Sequence, residues 1–368
     1  MVMPERGPTD SLVDVPGVYV GQVERSPAGR PSEPFTGVTA VVVPGGALGV
    51  ADVRGGAPGT RETDALSPLA SGERVHAVCL VGRSVFGLAA ADGAAAELER
   101  RGIGLPIDLG QRGRLAIPIV AAAVVFDFRT GDPAVRPTAA DGRRAVARAL
   151  RAERVRPASG QAGAGAGASV GGLLVRPGAD PGRPGGGGVG SGGVHRLGGI
   201  GHASLVADVE DGRLAVGALA VVNAAGAPLD EQVSIAPGPL PDFSEITGAR
   251  GNTVPVVVAT NARLARTELA RVAIMAHDGI ARAVRPSHTA VDGDVVFALA
   301  VPDAPETPAV TVAGWGPAAA SIVGALAADA VSLAIGDALG RCRPGHPPGR
   351  GSTLSDGPKW RNRQTRRT

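Results

Sequence analysis

Runs rich in valine and alanine, set among glycine and proline turns, recur along the chain: GVTAVVVPGGALGVADV (37–53), VHAVCLV (75–81), LAIPIVAAAVVF (115–126), LAVGALAVV (214–222) and TVPVVVATNA (253–262). β-Branched runs between turn residues read as strands, and runs this apolar as buried ones. Helical stretches separate them. SVFGLAAADGAAAELERR opens at Ser84 and closes at Gly102, and TAADGRRAVARALRAE follows. TELARVAIMAHDGIARAV sets Leu269, Val272, Ala273, Ala276 and Ile280 at helical spacing before Pro286 ends it. SIVGALAADAVSLAIGDAL is a last helix. Strands and helices in mixed order predict an α/β fold of layered sheets covered by helices.

Other segments are less determined. LVDVPGVYVGQV and GVTAVVVPGGALGVADVRGGAPG read as strands and hairpins. AIPIVAAAVVFDF reads as a strand pair or one long strand, and HTAVDGDVVFALAV as a hairpin or strand pair. Residues 176–199 form a glycine-rich loop, and a second long loop runs from Ala227 to Asn252. Unpatterned stretches of that length inside a domain are generally functional or flexible. Aromatic residues are only 2% of a chain that is 44% hydrophobic, so the core must pack small side chains closely.

Charge excludes more than it identifies. Lys+Arg 37 against Asp+Glu 34 gives a net +3, and the basic excess gathers in residues 341–368, a Pro/Gly-rich tail that reads as disordered. No basic domain with stacking aromatics accompanies it, so no nucleic-acid partner is expected. The first residues carry no apolar signal segment, and no window of ~18 residues is uninterruptedly apolar. Residues 317–339 are broken by Asp329 and Asp337. A soluble, cytoplasmic protein without membrane contact is the expectation. Cys79 and Cys342 make no disulfide framework; Cys79, in an apolar run, reads as a buried thiol.

Thr253 stands at the mouth of a strand behind the second loop. One reading is an ordinary strand threonine. The other is a hidden N-terminal nucleophile: breaking the Asn252–Thr253 bond frees an α-amine beside the hydroxyl, and that amine accepts the hydroxyl proton. In HTAVDGDVV, Asp-Gly is a hairpin-turn signal. A metal site on His288, Asp292 and Asp294 matches no strong ligand spacing, and a third reading makes the carboxylates partners of a catalytic ammonium or threonine. GQAGAGAGASVGG lacks the strand, helix and acid of a dinucleotide fingerprint, so close backbone approach or a substrate-lining loop is favoured. The histidines show no paired-ligand spacing, and His277 reads as structural.

Taken together, LVDVPGVYVG, GVTAVVVPGG, DVRGGAPGTRETD, SVFGLAAADG, IPIVAAAVVFD, GAGAGASVGG, GGIGHAS, VGALAVVNAAG, GNTVPVVVATNARL, MAHDGIARAVRPSHT and DGDVVFALA resemble, in order, the L-aminopeptidase/D-esterase family, with its β-aminopeptidases and nylon-oligomer hydrolases. The resemblance runs from about residue 11 to 340. It implies two mixed β-sheets between helical layers, an αββα sandwich. It also implies self-cleavage before Thr253, giving chains 1–252 and 253–340 of one domain that stay together and assemble further into a homo-oligomer. Thr253 falls at the nucleophile, Asn223 at the oxyanion-side asparagine, and Asp292 and Asp294 at the acidic partners. Threonine with Asp-Gly-Asp looks more like the nylon-oligomer branch. The implied activity is hydrolysis of small peptides, amino-acid amides or esters, or ω-amino-acid oligomers, with no metal or organic cofactor. Arg196-Leu197 stands where the family often has a lysine, and Arg83 where it has a glycine. Two alternatives remain open: acyl transfer of the ornithine acetyltransferase type, and an uncleaved, inactive binding protein.

Overall fold

The structure is a computed structural model describing residues 3–26, 35–72, 74–151, 154–171, 196–210, 212–229, 251–301, 310 and 318–340. Most of both long loops and the basic tail with Cys342 lie outside the described residues. The principal elements in chain order are β1 (Tyr19–Arg25), β2 (Thr36–Val53), β3 (Arg74–Val81), α1 (Ala89–Arg100), β4 (Val120–Val124), α2 (Ala139–Ala149), β5 (Gly199–Val209), β6 (Gly212–Val222), β7 (Pro255–Thr260), α3 (Arg266–Ala283), β8 (Val295–Ala300) and α4 (Ala318–Ala338).

Two mixed sheets lie face to face between helical layers, as the resemblance implies. One comprises β1, the first half of β2, β3 and β4, with β3 and β4 parallel. The other comprises β5, β6, β7 and β8, with β7 and β8 parallel, and the second half of β2 on the edge of β8. Both sheets therefore share β2. Pro44-Gly45-Gly46, which reads as a hairpin turn in the sequence, does not reverse the chain. It is a bulge, at which the register with β3 slips between Val42 and Ala47. An irregularity of this kind bends a strand and increases its twist, and here one strand passes from sheet to sheet.

The apolar runs follow from burial on both faces. Along β7, Val256 and Val258 face α3 and α4, whereas Val257 and Ala259 face the other sheet; β8 alternates in the same way. Successive side chains of a strand point to opposite sides, so a strand covered on both reads as a near-continuous apolar run. A third core lies between the first sheet and α1 and α2. There Gly93 and Gly142 bring the helices so close that a Cβ on either would strike the other helix's backbone. That contact needs small residues, which accounts for the scarcity of aromatics.

Leu269, Val272, Ala273, Ala276 and Ile280 all point from α3 into the core. Thr138 and Asp141 cap α2 reciprocally. The helix after Ser84 begins as a 3₁₀ turn, Ser84–Leu88. Three expectations need correction. LVD at residues 12–14 is a 3₁₀ turn before β1. AIPIV divides at Pro118 into Arg114–Ile117, which pairs Leu105–Asp108, and β4. HTAVDGD is a turn feeding the single strand β8. By length and composition α4 is apolar enough to cross a membrane, yet 56% of its window is buried, and it packs on α3, β5 and β6. Its buried Asp337 accepts hydrogen bonds from the Ser159 hydroxyl and from His202 N at 3.0 Å.

Candidate active site

Strand register assembles the site. β6 and β7 pair with Ala220 opposite Val256. Three residues beyond, in the same ladder, Asn223 bridges Thr253: Asn223 N donates to Thr253 O at 3.0 Å, and Thr253 N to Asn223 O at 2.9 Å. On the other side β7 and β8 run parallel with Pro255 beside Val295, and the same offset brings Asn252 beside Asp292. Asn252-Thr253-Val254 therefore lies between the end of β6 and the Asp292-Gly293-Asp294 turn. Asn223, Asn252, Thr253, Asp292 and Asp294 are all buried.

The turn's three residues do different work. Asp292 accepts Ala225 N at 3.1 Å and, on its other oxygen, the Thr289 hydroxyl and Thr289 N. Asp294 accepts Val254 N at 2.7 Å, and His288 N and Nδ1 at 3.0 and 2.8 Å. Between them Gly293 N donates to the carbonyl oxygen of Asn252 at 2.8 Å. A Cβ on Gly293 would stand 3.4 Å from Thr253 Oγ1 and 2.9 Å from Ala57 O, so glycine leaves room beside the hydroxyl. The Ala57 segment closes over the turn, with Ala57 N on Asp292 O at 2.8 Å. Thr253 Oγ1 is buried and has no hydrogen-bond partner among the described residues.

Asn223 is fixed by the glycine-rich segment, where Ser169 N donates to its Oδ1 at 3.0 Å. Its Nδ2 thereby faces Phe126 O at 3.1 Å and Gly251 O at 3.4 Å. The side-chain donor assigned to the oxyanion thus sits on the carbonyl one residue before Asn252, and a backbone N–H occupies the Asn252 carbonyl. Gly251 has φ 97°, and its would-be Cβ is filled by the Phe126 ring. Both demand glycine.

Sequence reasoning missed two contributors. Gly293 acts through its backbone, which no residue type advertises. Arg129, from the loop after β4, donates from Nη1 to Asn252 Oδ1 at 3.0 Å. Burial holds the Arg129 guanidinium below its usual range, and Asp292 opposes that shift. Asp292 is held above the usual carboxylate range by burial, with Asp294 pushing the same way. His277, read as structural, is buried against the end of β2, its Nε2 3.0 Å from Asp52 O and its ring 4.7 Å from that of His288. Burial lowers it to about 4, so it is neutral near neutral pH. His288 and Asp294 bond each other, and Asp292 is occupied by N–H and O–H donors. Among the described residues no group of three His, Cys, Asp or Glu gathers as a metal site.

A buried threonine hydroxyl thus stands between adjoining strand ends of an αββα sandwich, and similarity to known proteins identifies the class of protein that carries it. The chain belongs to peptidase family S58, whose model matches residues 10–174 and 181–346. It is 38% identical over 366 residues to an uncharacterised aminopeptidase of Mycobacterium tuberculosis, covering 89% of this chain and 92% of that one. It is 32% identical over 313 residues to the 6-aminohexanoate-oligomer endohydrolase of Paenarthrobacter ureafaciens, covering 80% and 76%. Its fold matches that of the L-aminopeptidase D-Ala-esterase/amidase of Ochrobactrum anthropi, a variant among the Ntn hydrolase fold. The TM-score is 0.59 at 20% identity, over 94% of this chain and 91% of that one.

Proposed function

We propose that the chain cuts itself between Asn252 and Thr253 and then acts as an N-terminal-threonine amidohydrolase. The observation that carries this reading is Thr253 Oγ1, buried and without a hydrogen-bond partner among the described residues, beside a carbonyl that already accepts Gly293 N–H at 2.8 Å. A buried hydroxyl with no hydrogen bond costs free energy, and a hydroxyl kept for attack accounts for it.

In maturation Thr253 Oγ attacks the Asn252 carbonyl carbon. The peptide C–N bond breaks as the nitrogen takes the hydroxyl proton, leaving Asn252 esterified to Thr253. Water hydrolyses the ester, giving the Asn252 carboxylate and a free Thr253 amine. An α-amine has a reference pKa of roughly 7.7–8.0, so a useful neutral fraction exists near pH 7. In turnover this amine takes the Oγ proton as Oγ attacks a substrate amide or ester. It then passes the proton to the leaving group, and water releases the acid.

Asn223 O, which accepts Thr253 N–H, anchors the amine. Gly293 N–H, already on the Asn252 carbonyl, meets the developing oxyanion in this scheme, with Asn223 Nδ2, which lies on the adjacent Gly251 carbonyl before cleavage, as the second donor; losing one such donor typically costs about 10²–10³ in rate. Asp292 and Asp294 hold the strands that flank the threonine. The scheme needs no cofactor. Small peptides, amino-acid amides or esters, and ω-amino-acid oligomers are the substrates, the last on the likeness to the oligomer endohydrolase. A cytoplasmic oligomer of processed heterodimers completes the proposal.

An activated p-nitrophenyl ester tests it. Rapid denaturation during turnover, followed by mass measurement, is expected to find the acyl group on the fragment beginning at Thr253, and none in Thr253→Ala. An adduct on another residue would contradict the assignment.

A further inference from the structure

We propose that Arg129 is a substrate-binding residue that selects acyl groups carrying an oxygen acceptor on the γ-carbon, as asparagine and aspartate do. The inference rests on self-cleavage at Asn252–Thr253. In that reaction the chain is its own first substrate: the hydroxyl that attacks the Asn252 carbonyl later attacks the substrate carbonyl. What touches residues 251 and 252 before cleavage therefore outlines the acyl subsite.

The outline is specific. Gly293 N–H marks the carbonyl, 2.8 Å from Asn252 O. Asn252 N donates to Val291 O at 3.3 Å, so the acyl residue's own nitrogen is read as a donor. Gly251 O lies 3.4 Å from Asn223 Nδ2 and Gly251 packs on Phe126, so a further amide unit fits beyond it. The subsite thus admits internal amides as well as chain ends. At the side chain, Arg129 Nη1 donates to Asn252 Oδ1 at 3.0 Å, Asn252 itself being 2% exposed.

A partly desolvated guanidinium needs an acceptor in place of water. Before cleavage Asn252 supplies it. Once Asn252 leaves the subsite, an acyl residue with a carboxamide or carboxylate in that position restores the bond. An isosteric aliphatic residue leaves Arg129 without it.

The test compares kcat/KM for the α-p-nitroanilides of asparagine, aspartate and leucine, the last matching the others in shape without the oxygen. Intact mass is recorded for every preparation. Cleaved wild type is expected to prefer asparagine and aspartate. In Arg129→Met the preference over leucine should fall on the order of 10- to 100-fold, the range for a hydrogen bond to a charged group. Arg129→Lys, which keeps the charge, should retain part of it. If Arg129→Met stays uncleaved, the wild-type ratio and the lysine variant decide. Cleaved wild type that turns over leucine as well as asparagine and aspartate overturns the role of Arg129 and leaves self-processing standing. Wild type that is never cleaved overturns both.

Discussion

Replacing Arg83 by methionine probes the loop that carries Phe126 and Arg129 to the site. The Arg83 side chain is 0% exposed, its Nη1 3.7 Å from the equally buried Asp127 carboxylate. It donates to the carbonyls of Asp127, Thr130, Asp132 and Val135 at 2.6, 2.9, 3.3 and 3.1 Å. Phe35 and Phe128 present ring centroids 5.1 and 5.3 Å from the guanidinium. Methionine keeps the apolar stem but leaves Asp127 buried without its counter-ion. Breaking a buried pair from one side costs about 3–5 kcal/mol, and that is the expected loss in urea unfolding near neutral pH. The pH dependence separates this cause from lost packing. Burial pushes Asp127 up and Arg83 opposes it, so in the variant the folded carboxyl rises further above its unfolded value. A carboxyl raised on folding binds its proton better in the folded state, so the deficit shrinks as pH falls toward that raised value. Adding Asp127→Asn should recover part of the loss. A deficit under about 1 kcal/mol, or one that grows on acidification, would refute the reasoning.

Other outcomes follow from the same geometry. Asp294→Asn cannot accept from Val254 N and from both His288 donors at once, so cleavage should slow by roughly 10-fold or more, read as the half-time of full-length chain on a gel. His202 and His277 are both lowered to about 4, first by burial. The unfolded chain therefore binds protons that the folded chain refuses. Stability should fall as pH drops from the unfolded value of 6.5 toward 4, by about 2–3 kcal/mol per histidine near pH 4.5. Urea midpoints that stay level over that range would contradict this.

Much of the fold is legible because burial on both faces leaves a plain trace. The all-apolar β8, the apolar run Pro255–Ala259 of β7 and the helical spacing on α3 needed no tertiary information. Thr253 and Asn223 are visible as polar residues at the ends of apolar strands, and the ladder register makes them partners. Other features are hidden for physical reasons. Pro44-Gly45-Gly46 has the chemistry of a turn, and only its neighbours make it a bulge within one long strand. Gly293 contributes a backbone N–H, which every residue but proline possesses. Arg129 is one arginine among many, brought to Asn252 by a loop whose shape depends on Arg83. That arginine, standing where the resemblance leads one to expect glycine, adopts φ 62°, ψ 33°, a left-handed conformation glycine takes without strain.

The most direct test of self-processing is the denatured intact mass of the purified protein, beside Thr253→Ala. The expected result is two fragments in wild type, residues 1–252 and 253–368, summing to the 36.5 kDa chain plus one water, the smaller beginning Thr-Val-Pro, and a single chain in the variant. One uncut chain in both, or a cut at another bond, would contradict the assignment of Thr253 as an N-terminal nucleophile.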